Sequence, residues 1–178
     1  KKFDKFDDGF WNGNNSVVGV ISEDKLNFFK FNAEGFYLDR ELDFSKENLF
    51  PMDVSFNDDG KIAVLLGQKK KPEHDVIYSE EVIEEMKRNG LTDKEIYGAE
   101  ILISDRIVFL DENYNNIFSP CKLEVSSYGS VDFTDGKVFA SRGRGIDVFS
   151  NQNGVFSKTK QYLFKQRAEK IKSADIDG

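Results

Sequence analysis

The chain has 178 residues, 39% of them hydrophobic, and a formal net charge of −7. That is enough apolar material for one domain with a proper core. The charge argues against a nucleic-acid footprint, which needs clustered Lys and Arg, and against attraction to an anionic membrane surface.

The first residues, KKFDKFDDG (1–9), alternate and run into Asp-Gly, a tight-turn signal between strands. FWNGNNSVVGVIS (10–22) reads as the strand after that turn. KLNFFKFNAEGFYLD (25–39) reads as a hairpin, two β-rich runs joined by a short turn. MDVSFNDDG (52–60) is again an alternating strand ending in Asp-Gly, and KIAVLLG (61–67) is the strand that follows it.

Residues 69–99 interrupt this pattern. KKKPEHD (69–75) reads as a loop. SEEVIEEMKRNG (79–90) predicts a helix: Ser79 caps it, acids fill the first turn, Lys87 and Arg88 the last, and Gly90 follows. Val82, Ile83 and Met86 form its apolar face. TDKE (92–95) fits a capping box opening a second short helix with Ile96 and Tyr97. An insertion of this kind is either a decorated loop packed on the rim or a recognition element.

The strand pattern then resumes. RIVFLDENYNNIFSP (106–120) and GIDVFSNQNGVFSKT (145–159) repeat the hairpin signature. SVDFTDG (130–136) and KSADIDG (172–178) repeat the strand ending in Asp-Gly, and KVFASRG (137–143) is another following strand. LFKQRAEKIK (163–172) reads as a blade connection with solvated charge. A unit of about 40–50 residues with four short strands predicts an all-β fold built as a β-propeller segment. It holds three four-stranded blades plus a leading outer strand, with the helical insertion 69–99 inside the second blade. Each unit reads as an inner strand, a middle hairpin and an outer strand closed by Asp-Gly. The whole of 1–178 is then one propeller or half-propeller unit.

IDVFSNQNGVF (146–156) and MDVSFNDDGKIAV (52–64) resemble the NHL-type and YWTD-like repeats of six-bladed propellers. No Tyr-Trp-Thr-Asp motif and no Trp-Asp pair occurs, since the only Trp, Trp11, precedes Asn12. The resemblance implies a ring. Three blades leave two apolar sheet faces to be covered, by a second copy, by further blades of a longer chain or by another polypeptide; the final Asp177-Gly178 turn favours a longer chain. It also implies a bacterial extracytoplasmic setting, periplasmic or at the surface.

Residues able to do chemistry are few. His74 is the only histidine and sits in a Lys-rich loop, so it offers neither a zinc cluster nor a triad. Cys121, the only cysteine, reads as a small buried hydrophobe and permits no internal disulfide. Asp175 and Asp177 resemble the start of a calcium loop, but Asp and Asn are also good turn formers. SRGRG (141–145) sets Arg142 and Arg144 either side of a glycine, where they would clamp a carboxylate or phosphate, or pair with neighbouring acids.

The expectation is therefore a non-catalytic binding or scaffolding propeller. It engages a protein or small ligand at one face, through Arg142 and Arg144 or through Val82, Ile83 and Met86, and needs no metal or cofactor. One alternative is part of a lyase- or hydrolase-type propeller enzyme whose catalytic residues lie in blades outside this chain. Another is a structural or surface-assembly protein.

Overall fold

The computed structural model describes residues 8–12, 17–70, 79–92, 96, 100–124 and 127–165. Asp175, Asp177, His74 and most of the predicted second helix lie outside them; Ile96 is helical and buried. Among the described residues the fold is all-β with one α-helix. Three antiparallel four-stranded sheets follow one another along the chain, each with its strands in sequence order.

The first sheet contains β1 (Asp8–Asn12), β2 (Val17–Ser22), β3 (Lys25–Asn32) and β4 (Gly35–Asp43). The second contains β5 (Phe50–Phe56), β6 (Ile62–Lys70), β7 (Ile101–Leu110) and β8 (Cys121–Lys122). The third contains β9 (Tyr128–Thr134), β10 (Lys137–Arg142), β11 (Gly145–Gln152) and β12 (Val155–Leu163). The helix α1 (Glu80–Arg88) lies between β6 and β7, so the insertion does fall inside the second sheet.

The class and the three four-stranded sheets are as expected, but the division between them is shifted by one strand. The Asp-Gly turns lie inside sheets rather than between them. Thr134 pairs Lys137 across Asp135-Gly136, with φ of 48° and 68°. Two left-handed residues make the tight turn whose twist suits a hairpin. Asn153-Gly154 does the same between β11 and β12. The first Asp-Gly, at 8–9, is no turn: it opens β1, which pairs with β2 as a full member of the first sheet. FWNGNNSVVGVIS is thus two strands and the link between them.

Between the second and third sheets, β5 and β9 approach one another most closely along their length. Asp53 accepts a hydrogen bond from the Val131 backbone (2.7 Å), and Ser55 accepts one from Phe133 (2.9 Å). KIAVLLG and KVFASRG, expected as inner strands, are each the second strand of their sheet. Ile62 through Gly67 of β6 are all buried because the second sheet is covered on both faces.

Each sheet has a front, the face carrying Ile62 in the second and Val138 in the third, and a back. The front of the second sheet (Ile62, Val64, Leu66, Val108, Leu110) packs on the back of the first (Val17, Ile21, Leu26, Phe28). The front of the third (Val131, Phe133, Val138, Ala140, Phe149) packs on the back of the second (Ala63, Leu65, Ile107, Phe109). Phe28 stacks on Tyr114 in one layer (4.5 Å), and Phe109 on Phe156 in the other (4.0 Å). A buried large apolar side chain stabilises by about 1.5–3 kcal/mol, so these two layers hold the sheets together.

The hairpin expected in RIVFLDENYNNIFSP is only partly formed. Beyond β7 the chain makes a compact turn on the Asp111 carboxylate, which accepts from the backbones of Asn113 and Asn115. A single bridge joins Leu110 and Asn116, and only Cys121 and Lys122 return to the sheet. The intervening Ile117 and Phe118 turn inward onto the core, and packing rather than ladder pairing takes up that run.

Candidate functional site

In a meander, successive connections fall at alternate ends. The turn at 23–24, the insertion between β6 and β7, and the turn at 143–144 all join second to third strands. The short links 44–49 and 123–127 between sheets leave from that same end, so the chain path itself aligns it across the three sheets. SRGRG and the insertion thus share one end of the molecule.

The two arginines have different roles there. Arg142 closes β10, and its Nε donates to the Asp147 carboxylate at 2.9 Å. Asp147 is fully buried. It also accepts from the Tyr128 hydroxyl and from Gln161 (3.0 Å), with the Lys158 ammonium at 3.6 Å. Burial pushes the Asp147 carboxyl up, but the Tyr128 and Arg142 hydrogen bonds and the two cationic charges outweigh it. The group is held below the usual carboxylate range. Tyr128 is driven the other way, by burial first and then by its bond to Asp147. Arg142 is thereby the counter-ion of an internal carboxylate. Arg144 is exposed, and its carbonyl accepts from the Phe164 backbone at 2.7 Å, tying the turn to the end of β12.

The insertion stands on an arm. β6 and β7 stay paired out to Lys69–Leu102 and Lys70–Ile101, well beyond the packed part of the sheet. The α1 helix forms as its sequence dictates: Ser79 accepts from the Val82 backbone, Glu80 and Glu81 lie in the first turn, and Gly90 takes φ 84°. None of its residues is buried. Ile83 and Met86 are half-buried and Val82 is exposed, so the apolar face does not enter the core. Ile101 and Leu102 at the end of the arm, and Val82 and Leu91 in the insertion, are exposed large apolar side chains. Ile101 and Leu102 were not singled out in the sequence. Their signal was the β-rich ILIS run that leads into RIVFL, which the strong RIVFL stretch masked.

The other features are structural. Cys121 is buried, and burial pushes its thiol up to about 11, away from the reactive thiolate. Two half-open clefts of about 160 Å³ each lie between the sheets. One is lined by Lys30, Phe56 and Tyr114, the other by Cys121, Tyr128 and Lys158. Both are small beside the few hundred Å³ of an ordinary ligand pocket. Among the described residues no group of three or more His, Cys, Asp or Glu comes together to hold a metal ion, and no helix is long and apolar enough to cross a membrane. No protein-family model matches the chain, and no curated protein is found to be similar to it.

Proposed function

We propose that the chain is a segment of an NHL-like β-propeller that binds rather than catalyses, and that its binding element is the β6–β7 arm with α1. The observation that carries this reading is the arm's exposed apolar set, Val82, Leu91, Ile101 and Leu102, on an element that adds no helix residue to the core. Exposed large apolar side chains on an element outside the core are a common mark of a protein-binding surface. Arg144, at the same end, supplies a positive rim for an acidic partner segment.

A selection of peptides on the immobilised chain tests this. Enriched peptides should carry apolar anchors with acidic neighbours. They should lose about tenfold or more in affinity on a Val82→Asp/Leu102→Asp double variant, whose changes are at exposed sites and leave the fold intact. Peptides that bind the double variant equally well would move the site elsewhere. Turnover of ester or glycoside substrates by the chain would replace binding with catalysis.

A further inference from the structure

The outer edge of the second sheet differs from the other two. In the first and third sheets the third strand is paired with the fourth along its whole length, from Lys25–Asp43 to Asn32–Gly35 and from Gly145–Leu163 to Gln152–Val155. β7 pairs with β6 from Leu110 out to Ile101, but with β8 only at Arg106 and Ile107. Leu123 adds one backbone bond, to the Asp105 carbonyl (2.8 Å), before the chain leaves for β9. Among the described residues no strand lies beside 101–103 on that side, and Ile101 and Leu102 are 52% and 41% exposed.

An open edge of this kind is a template for another strand, and proteins commonly guard it with charge. The other outer or projecting edges are guarded. β4 carries Asp39, Arg40, Glu41 and Asp43, β12 carries Lys158 and Lys160, and the β6 side of the arm carries Lys69 and Lys70. The β7 side reads Ile-Leu-Ile over 101–103, with no charge. Its backbone is also aimed outward. A Cβ on Gly67 would lie 2.6 Å from the Ile103 carbonyl oxygen, so that carbonyl faces β6. Successive residues of a strand turn their N–H and C=O to opposite edges. The Leu102 N–H and C=O therefore face the outer side, where an added strand can bond them.

We infer that the arm takes its partner as an added strand: an extended segment of another protein pairs antiparallel with 101–103 on the outer edge of β7, in line with β8. This rests on the reading of the arm as the binding element. Backbone pairing supplies affinity, and alternate side chains of the segment meet Ile101 and Leu102 on the two faces of the ribbon. The chemistry of the segment follows: apolar residues opposite Ile101 and Leu102, with acidic residues beside them. Residues 67–70 and 101–104 include Lys69 and Lys70 and no carboxylate. Lys70 pairs with Ile101 and Lys69 with Leu102, so each face of the ribbon has one ammonium group, and the exposed Lys122 ends β8 on the same edge. A carboxylate on the added strand is attracted from either face.

The test is an N-methyl scan. One peptide enriched by selection on the immobilised chain is remade with a single backbone N-methyl group at each position in turn, and its affinity for the full chain is measured by calorimetry. Strand addition predicts a loss of about tenfold or more at every second position of the bound stretch and little change at the positions between, because only alternate N–H groups point at β7. Tolerance of N-methylation throughout, or losses spaced three and four apart as for a bound helix, would overturn strand addition while leaving the arm as the site. Peptides that bind the Val82→Asp/Leu102→Asp variant unchanged, or a selection that enriches none, would remove the site itself. A doubled mass of the unliganded chain in light scattering, returned to one copy by the peptide, would assign the edge to a second copy and overturn the partner segment.

Discussion

The first and third sheets follow the same backbone plan but use it differently. Their registers agree residue for residue over three strands, yet Asn27 stands where the third sheet buries Asp147, and Glu23 where it has Gly143. The third sheet can bury a carboxylate because Arg142, Tyr128, Gln161 and Lys158 converge on it. At the matching positions the first sheet has Ser22, Glu41 and Leu38, and its Lys25, standing where the third sheet has Gly145, is already bonded to Glu41 (2.9 Å). A neutral amide is what that environment tolerates. The lesson is that a repeat conserves register and burial, while the polarity of each buried position is settled by its own neighbours.

The comparison breaks hardest at the layer between the second and third sheets. Phe109→Ala removes a ring in contact with Phe118, Phe133 and Phe156. It should cost about 4 kcal/mol in urea unfolding and leave Phe156 with only Phe118 and Phe133 as ring partners. A loss below about 1 kcal/mol would mean that the sheets are not held by this layer.

Exchanging the buried polar residues sharpens the contrast. Asn27→Asp buries a carboxylate opposite Glu41, whose Lys25 partner (2.9 Å) would then be shared between two carboxylates, and should cost about 2 kcal/mol at pH 7. Its carboxyl pKa would be raised, so the penalty should already relax well above pH 4. Asp147→Asn leaves Arg142 without its counter-ion and should cost about 2 kcal/mol at pH 7. The folded pKa of Asp147 lies below the unfolded value of about 3.9. Its contribution is therefore complete above pH 4 and is lost as pH falls toward the folded pKa. The two variants should separate in urea titrations between about pH 4 and pH 6. Parallel pH profiles would show that the two sites are electrostatically alike.

The smallest effect is at the turn. Glu23 holds φ 57° where the third sheet has Gly143 at 44°. Glu23→Gly relieves the left-handed strain but loosens the unfolded chain, for a net gain of about 0.5 kcal/mol, read as a small rise in Tm. A drop in Tm would show that the Glu23 side chain contributes more than its backbone costs.

Much of this architecture was legible in the residues. Alternation, Asp-Gly and Asn-Gly set the strands and two of the tight hairpins, because left-handed turn residues and period-two burial are local properties. The cap, charges and closing glycine likewise determined α1. What the sequence reading misplaced was which neighbouring strands share a sheet, since it closed each unit at Asp-Gly. An Asp-Gly turn looks the same inside a sheet as between two, and only the pairing of β5 with β6 and of β9 with β10 places it. SRGRG was read as either a clamp or an internal ion pair. Buried Asp147 lies within reach of the Arg142 guanidinium and bonds it, while Arg144 stands in solvent. Whether a Phe becomes core or surface was also beyond local pattern. Phe36 and Phe156 occupy one position in one repeat, and contact with Phe109 and Phe118, distant in sequence, is what buries the second.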